Sequence, residues 1–144
     1  KKHLASQQRA FTVLVPARNE SGNIGSLLSA LEGQQYPADL IEIIVIDDRS
    51  TDDTAEIVRT FPHIRLIQNN NTEAVGKKNS LRLGIQEAKH EWILTTDADC
   101  KPGPEWISTI NSFLDAEQSI CVVGPVSVSS IHGSILKNFN DTTT

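Results

Sequence analysis

Cysteine is scarce in this chain: Cys100 and Cys121 are the two in 144 residues, and they form no C-x-x-C pair. That excludes a disulfide-stapled scaffold and a zinc ribbon, and leaves two thiols beside apolar, strand-like sequence whose plain reading is burial. The four histidines, His3, His63, His90 and His132, are scattered without metal-ligand spacing. No run of 18 apolar residues exists, so nothing in this stretch is built to cross a bilayer as a helix, and no membrane contact is expected within it. Positive charge is in deficit: 13 Lys and Arg against 18 Asp and Glu leave a net charge of -5. Such a chain has no bulk field with which to grip a polyanion, so nucleic acid is not an expected partner. Any phosphate must be held locally, by a cation or by a few placed lysines. Methionine is absent, the first residues are Lys1-Lys2-His3, and there is no signal-peptide pattern. The expectation is a segment excised from a longer protein.

What is present suffices for one globular domain: 38% of residues are hydrophobic, enough for a core at this length. The pattern alternates between short β-like runs and helical runs. Phe11-Thr12-Val13-Leu14-Val15 reads as an apolar strand closed by Pro16. Ile24, Leu27, Leu28 and Leu31 then recur on one helical face that stops at Gly33. Residues 41–46 form a second strand, apolar on both faces except for Glu42, as suits a parallel strand covered on both sides. Ser50 and Thr51, followed by Asp52 and Asp53, are expected to open a second helix, their oxygens capping free N–H groups and their charges suiting its dipole. Ala55, Val58 and Phe61 form its inner face.

A third strand spans 64–67, a polar loop follows at 69–72, and a third helix begins near Lys77 with Leu81, Gly84, Ile85 and Ala88 inward. A fourth strand spans 92–96. Pro102-Gly103-Pro104 is a turn that places Pro104 at the first position of a fourth helix, lined by Trp106, Ile107, Ile110 and Phe113. Residues 120–123 read as a fifth strand, broken by Gly124-Pro125 and continued by 126–130. The ends, 1–10 and 131–144, give no definite assignment.

This alternation predicts an α/β fold of three layers, α/β/α, with right-handed crossovers and a mostly parallel sheet in a single domain over 1–144. Ligands of such sheets sit at the carboxyl ends of the strands. The segments after the strands then share one rim. After the first comes Pro16-Ala17-Arg18-Asn19-Glu20, after the second Asp47-Asp48-Arg49-Ser50-Thr51-Asp52, after the fourth Asp97-Ala98-Asp99. Gly76-Lys77-Lys78, at a helix start, faces the same end. Four carboxylates converge, and like charges repel by about 4 kcal/mol per pair at 4 Å and an effective dielectric of 20. Compensation must come from Arg18, Arg49 and the lysines, or from a divalent cation.

Asp97 and Asp99 stand one residue apart, so in an extended segment both point to one side and can approach one hard cation, Mg²⁺ or Mn²⁺. A solvated loop with capping acids is the plain alternative for such a pair standing alone. Of Asp47 and Asp48, one can cap the second helix while the other accepts hydrogen bonds from a base or a ribose. Lys77 and Lys78 either contact a phosphate or hold the acids in place, and Arg18 and Glu20 can pair with each other. Competing phosphate motifs fail. No G-x-G-x-x-G follows the first strand. Gly76-Lys77 is no P-loop, because Asn71 stands where its first glycine belongs and Lys78 where Ser or Thr would ligate Mg²⁺.

Together these residues resemble the family 2 glycosyltransferases, whose nucleotide-sugar-binding half has the GT-A fold. Val13-Leu14-Val15-Pro16-Ala17-Arg18-Asn19-Glu20 is similar to the family's opening strand and P-x-x-N-E turn. Ser29-Ala30-Leu31 with Gln35-Tyr36-Pro37 resembles its S-L…Q-x-Y-P helix end. Residues 43–52 resemble I-V-V-D-D-x-S-x-D, Gly76-Lys77 the opening of G-K-x-x-x-x-N-x-G, and Asp97-Ala98-Asp99 its D-x-D. Five motifs in order, over about 11–126, are far more specific than any one.

The resemblance implies a Rossmann-like GT-A fold, truncated on its C-terminal side, that serves as the donor-binding half of a metal-assisted, typically inverting transferase. It implies that Pro16, Ala17, Arg18 and Glu20 border a UDP- or GDP-linked donor, that Asp48 (or alternatively Asp47) bonds the base, and that Lys77 lies near the nucleotide. Asp97 with Ala98 would approach the ribose or sugar, and Asp99, helped by Asp97, would ligate the cation that bridges the diphosphate. Many family members carry membrane helices outside this region, so the resemblance admits a membrane-attached parent with this domain on the cytoplasmic face. Two departures stand out. Arg82 occupies a position where the family commonly has Asn. The catalytic base, acceptor region and Q-x-x-R-W-type motif are expected beyond Thr144, so the segment alone is expected to lack full activity. The rival readings are a non-catalytic nucleotide-sugar-binding module on the same fold and a haloacid-dehalogenase-like phosphatase. The latter wants Thr or Val where this chain has Lys101.

Overall fold

The computed structural model describes residues 7–117 and 134–137. Five strands, β1 (Phe11–Ala17), β2 (Ile41–Asp47), β3 (Arg65–Gln68), β4 (Trp92–Thr95) and β5 (Ser134–Lys137), form one sheet in the order β3-β2-β1-β4-β5. The first four are mutually parallel, with Phe11 level with both Ile41 and Trp92, and β5 runs antiparallel to β4. Four helices, α1 (Ile24–Glu32), α2 (Thr54–Arg59), α3 (Lys77–Glu87) and α4 (Trp106–Glu117), complete the three layers.

Strand alternation sorts the core into two halves. Phe11, Val13, Val15, Ile43 and Val45 face one side, where they pack with Leu27 and Leu28 of α1, Val58 of α2, and Trp106 and Ile107 of α4. Leu14, Ile44, Ile46 and Ile93 face the other side, under Leu81 and Ile85 of α3. Gly84 lets α3 sit close to the sheet: a Cβ there would lie 2.8 Å from Leu14 Cδ2 and 2.9 Å from Ile46 Cδ1. The chain grows from β1 outward to β3, then crosses to the other side of β1 for β4. That reversal sends α3 to the face opposite α1 and α2, as a single crossover handedness demands. It also opens a switch point between the carboxyl ends of β1 and β4, where ligands of such sheets bind.

Several expectations are corrected. The second helix begins at Thr54, four residues beyond Ser50, because 50–52 are engaged elsewhere. Pro104 belongs to the turn before α4, which starts at Trp106. Phe113 is 43% exposed, and Leu114 fills the inward position instead. The end over 131–144 contains a strand, β5, and Arg9 near the other end is fixed by Asn111 and Asp115 on α4. The strand expected over 120–130, with Cys121, lies outside the described residues. Glu42, the one polar residue noted in the second strand, is buried as the hub of a network. It accepts from Thr12 Oγ1 (2.7 Å), Lys89 N (2.7 Å) and Arg65 Nη1 (3.1 Å).

Candidate functional site

The loops after β1 and β2 are clasped together by side chains. Asn19 adopts a left-handed φ of 54°. Its N–H donates to Ser50 Oγ at 2.8 Å, and its side-chain oxygen accepts from Thr51 N at 2.8 Å. Glu20 N donates to Thr54 Oγ1 at 2.9 Å, and Ser21 N to Asp52 Oδ2 at 3.1 Å. Asp52 also accepts from the hydroxyl and N–H of Thr54, and that hydroxyl bond chiefly lowers its carboxyl to about 2. The acids and hydroxyls of 50–54 therefore fix the rim more than they cap a helix.

Asp47 and Asp48 part company by strand alternation. Asp47, on the α1–α2 side, accepts from Ser50 N at 3.3 Å. Asp48, on the α3 side, accepts from Asn69 Nδ2 at 3.1 Å and from Gly76 N at 2.8 Å, with Arg49 Nε 3.6 Å away. The last is an ion pair without a hydrogen bond, since Arg49 Nε has no hydrogen-bond partner among the described residues. Both acids are buried.

Beyond β4, Asp97–Cys100 is a tight turn, closed by Cys100 N donating to Asp97 O at 3.1 Å, and not the extended segment expected. The turn still gathers the acids: ligand atoms of Asp97, Asp99 and Cys100 all lie within 4.8 Å of one another. Burial, then the two nearby carboxylates, push the Cys100 thiol up and outweigh the bonds from Thr96 and Asp97 that act the other way. The two carboxylates suit a hard, oxygen-seeking cation. Lys77 Nζ reaches Asp97 Oδ1 at 2.5 Å across the opening.

These elements enclose a cleft of about 310 Å³ lined by Pro16, Ala17, Arg18, Glu20, Asp48, Lys77, Ser80, Asp97, Ala98 and Asp99. Nine of the ten residues selected from sequence line it. Asp47 lies outside it for the reason given, and Lys78 is exposed on α3 away from the lining. Arg18 and Glu20 form no ion pair with each other among the described residues, and Glu20 Oε1 instead accepts from Asn23 Nδ2 at 3.1 Å. Ser80 belongs to none of the sequence motifs; its signal is a serine one turn beyond Gly76 and one turn before the close-packed Gly84, hence on the sheet-facing side of α3. A larger groove, about 560 Å³, lies at the amino end of the sheet against Leu31, Tyr36, Ile41 and Ile64, away from the switch point. No helix among the described residues is long and apolar enough to cross a membrane.

An α/β sheet of this order, with an acid-and-base cleft at its switch point, defines a GT-A-type architecture, and solved transferases share it. A mannosyltransferase of Pyrobaculum calidifontis, solved in complex with GDP-Man and Mn²⁺, superposes with TM-score 0.74 at 27% identity, covering 92% of this chain and 45% of that one. TarS residues 1–349 of Staphylococcus aureus, solved in complex with UDP, superposes with TM-score 0.71 at 27% identity, covering 79% of this chain and 34% of that one. By sequence, the 4,4'-diaponeurosporenoate glycosyltransferase of Staphylococcus aureus is 34% identical over 100 residues, 68% of this chain and 26% of its own length. The model of Glycosyl transferase family 2 matches residues 12–138, and the chain belongs to that family. It spans about a quarter of the length of that curated relative.

Proposed function

We propose that this chain is the donor-binding half of a glycosyltransferase, holding a UDP- or GDP-linked sugar in the cleft with Mg²⁺ or Mn²⁺ against the diphosphate. The observation that carries this reading is the meeting of Asp48 after β2, Lys77 at the start of α3, and Asp97 and Asp99 on the turn after β4, in one cleft. Relatives solved with UDP, and with GDP-Man and Mn²⁺, support it.

Each residue has a task its surroundings suit. Pro16 and Ala17 offer an apolar wall to the base. Asp48, anchored by Asn69 and Gly76, keeps lone pairs for an N–H of the base, since a carboxylate accepts at about four sites. Lys77 and Arg18 bring positive charge to the phosphates. Asp99 and Asp97 would hold the cation. When bound, that cation neutralises charge on the departing nucleoside diphosphate as a Lewis acid. Transfer by one displacement at the anomeric carbon, with inversion, is the reaction this arrangement serves.

Calorimetric titration with UDP and with GDP in the presence of Mn²⁺ tests the reading. One saturable site, competed by the matching nucleotide-sugar, is expected. Silence with both nucleotides contradicts it.

A further inference from the structure

Ser80 is fully buried, lines the cleft, and its Oγ has no hydrogen-bond partner among the described residues. Its N–H is already satisfied, donating to Gly76 O at 3.0 Å. A buried hydroxyl without a partner costs folding free energy, so its retention on a ligand-facing surface calls for a partner that arrives with the ligand. The helix could have carried alanine there at a gain in helix propensity.

We infer that Ser80 Oγ hydrogen-bonds the nucleoside part of the bound nucleotide, as a specificity-determining residue; this rests on the donor-binding reading above. Burial selects the nucleoside over the diphosphate, because an uncharged edge is the part of the ligand that a buried hydroxyl suits. The charged groups suited to phosphate and cation, Lys77, Asp97 and Asp99, are exposed, whereas Ser80 is not. A hydroxyl both donates and accepts, so it can serve a carbonyl, an imino N–H or a ribose hydroxyl.

The experiment compares the wild-type chain with Ser80→Ala. Each is titrated with whichever of UDP and GDP the wild type binds, and with inorganic pyrophosphate, all with Mn²⁺, beside a thermal melt without ligand. Loss of one neutral hydrogen bond predicts roughly 3- to 10-fold weaker nucleotide binding. Pyrophosphate binding stays unchanged, and the melt is unchanged or higher because an unsatisfied hydroxyl is gone. Unaltered nucleotide affinity overturns the assignment. So does an equal weakening toward pyrophosphate, which would move the hydroxyl to the phosphates. A lowered melting point with intact affinity would make Ser80 a helix back-bond to Gly76 O, which also overturns it. A wild type that binds neither nucleotide sinks the donor-binding reading itself, a failure distinct from the others.

Discussion

The carboxylate of Asp48, at the end of β2, accepts the backbone N–H of Gly76, at the start of α3, at 2.8 Å. One bond thereby ties the central sheet to the helix that carries Lys77 and Ser80. Gly76 holds φ at 99° and ψ at 170°, a region essentially reserved for glycine. A Cβ there would meet nothing within 4 Å, so the cost of a substitution is backbone strain alone. Gly76→Ala is expected to lower the unfolding free energy by about 1–3 kcal/mol in urea titrations. An unchanged midpoint and slope would mean that the loop relaxes without strain.

Lys77 separates stability from binding. Its ion pair with Asp97 is exposed on both sides, 60% and 53%, so solvent screens it and it adds little to folding. Lys77→Ala should leave the melting point within about 1–2 °C, consistent with a surface pair worth well under 1 kcal/mol. Nucleotide affinity should fall by about 10- to 100-fold, the loss of one charge-assisted contact. A variant that binds normally but melts early would invert the assignment.

Much of this arrangement was legible in the sequence because strand alternation and the carboxyl-end rule depend on pattern alone. They brought Pro16, Asp48 and Asp99 to one rim. The same alternation, applied across Asp47-Asp48, separates the pair, one to each face of the sheet. What the sequence hid were side chains whose partners are distant along the chain. Ser50, Thr51 and Asp52 have the look of helix caps, yet they bond the backbone and side chains of 19–21, about thirty residues earlier. The turn at Asp97–Cys100 likewise needed its closing hydrogen bond to be seen. β5, antiparallel at an edge, has a partner no local pattern specifies.

Glu42 should make the fold acid-sensitive. Burial alone would raise its carboxyl, but the bonds from Lys89 N, Thr12 and Arg65 outweigh it and hold the group below the ordinary range. A depressed folded pKa contributes stability that is present above the unfolded value and lost as pH falls through the folded one. Unfolding free energy measured from pH 6 down to pH 2.5 should therefore decline at the acid end, and Glu42→Gln should flatten that decline while lowering stability at neutral pH. Parallel profiles for the two proteins would show that Glu42 does not titrate between the states.

Gly84→Ala tests the close approach of α3. Overpacking against the fully buried Leu14 and Ile46 costs about 1–3 kcal/mol, while helix propensity returns up to about 1 kcal/mol. Net destabilisation of about 1 kcal/mol is expected in chemical denaturation. A stabilised variant would mean that those side chains yield freely.

The most direct test of the shared cleft is nucleotide affinity with Mn²⁺ and after chelation by EDTA, for the wild type and for Asp99→Asn, with circular dichroism confirming that both are folded. Tight binding is expected only for the wild type with Mn²⁺, and weak, equal binding in the other three cases. Wild-type affinity that survives EDTA, or a folded Asp99→Asn chain that still responds to Mn²⁺ as the wild type does, would contradict it.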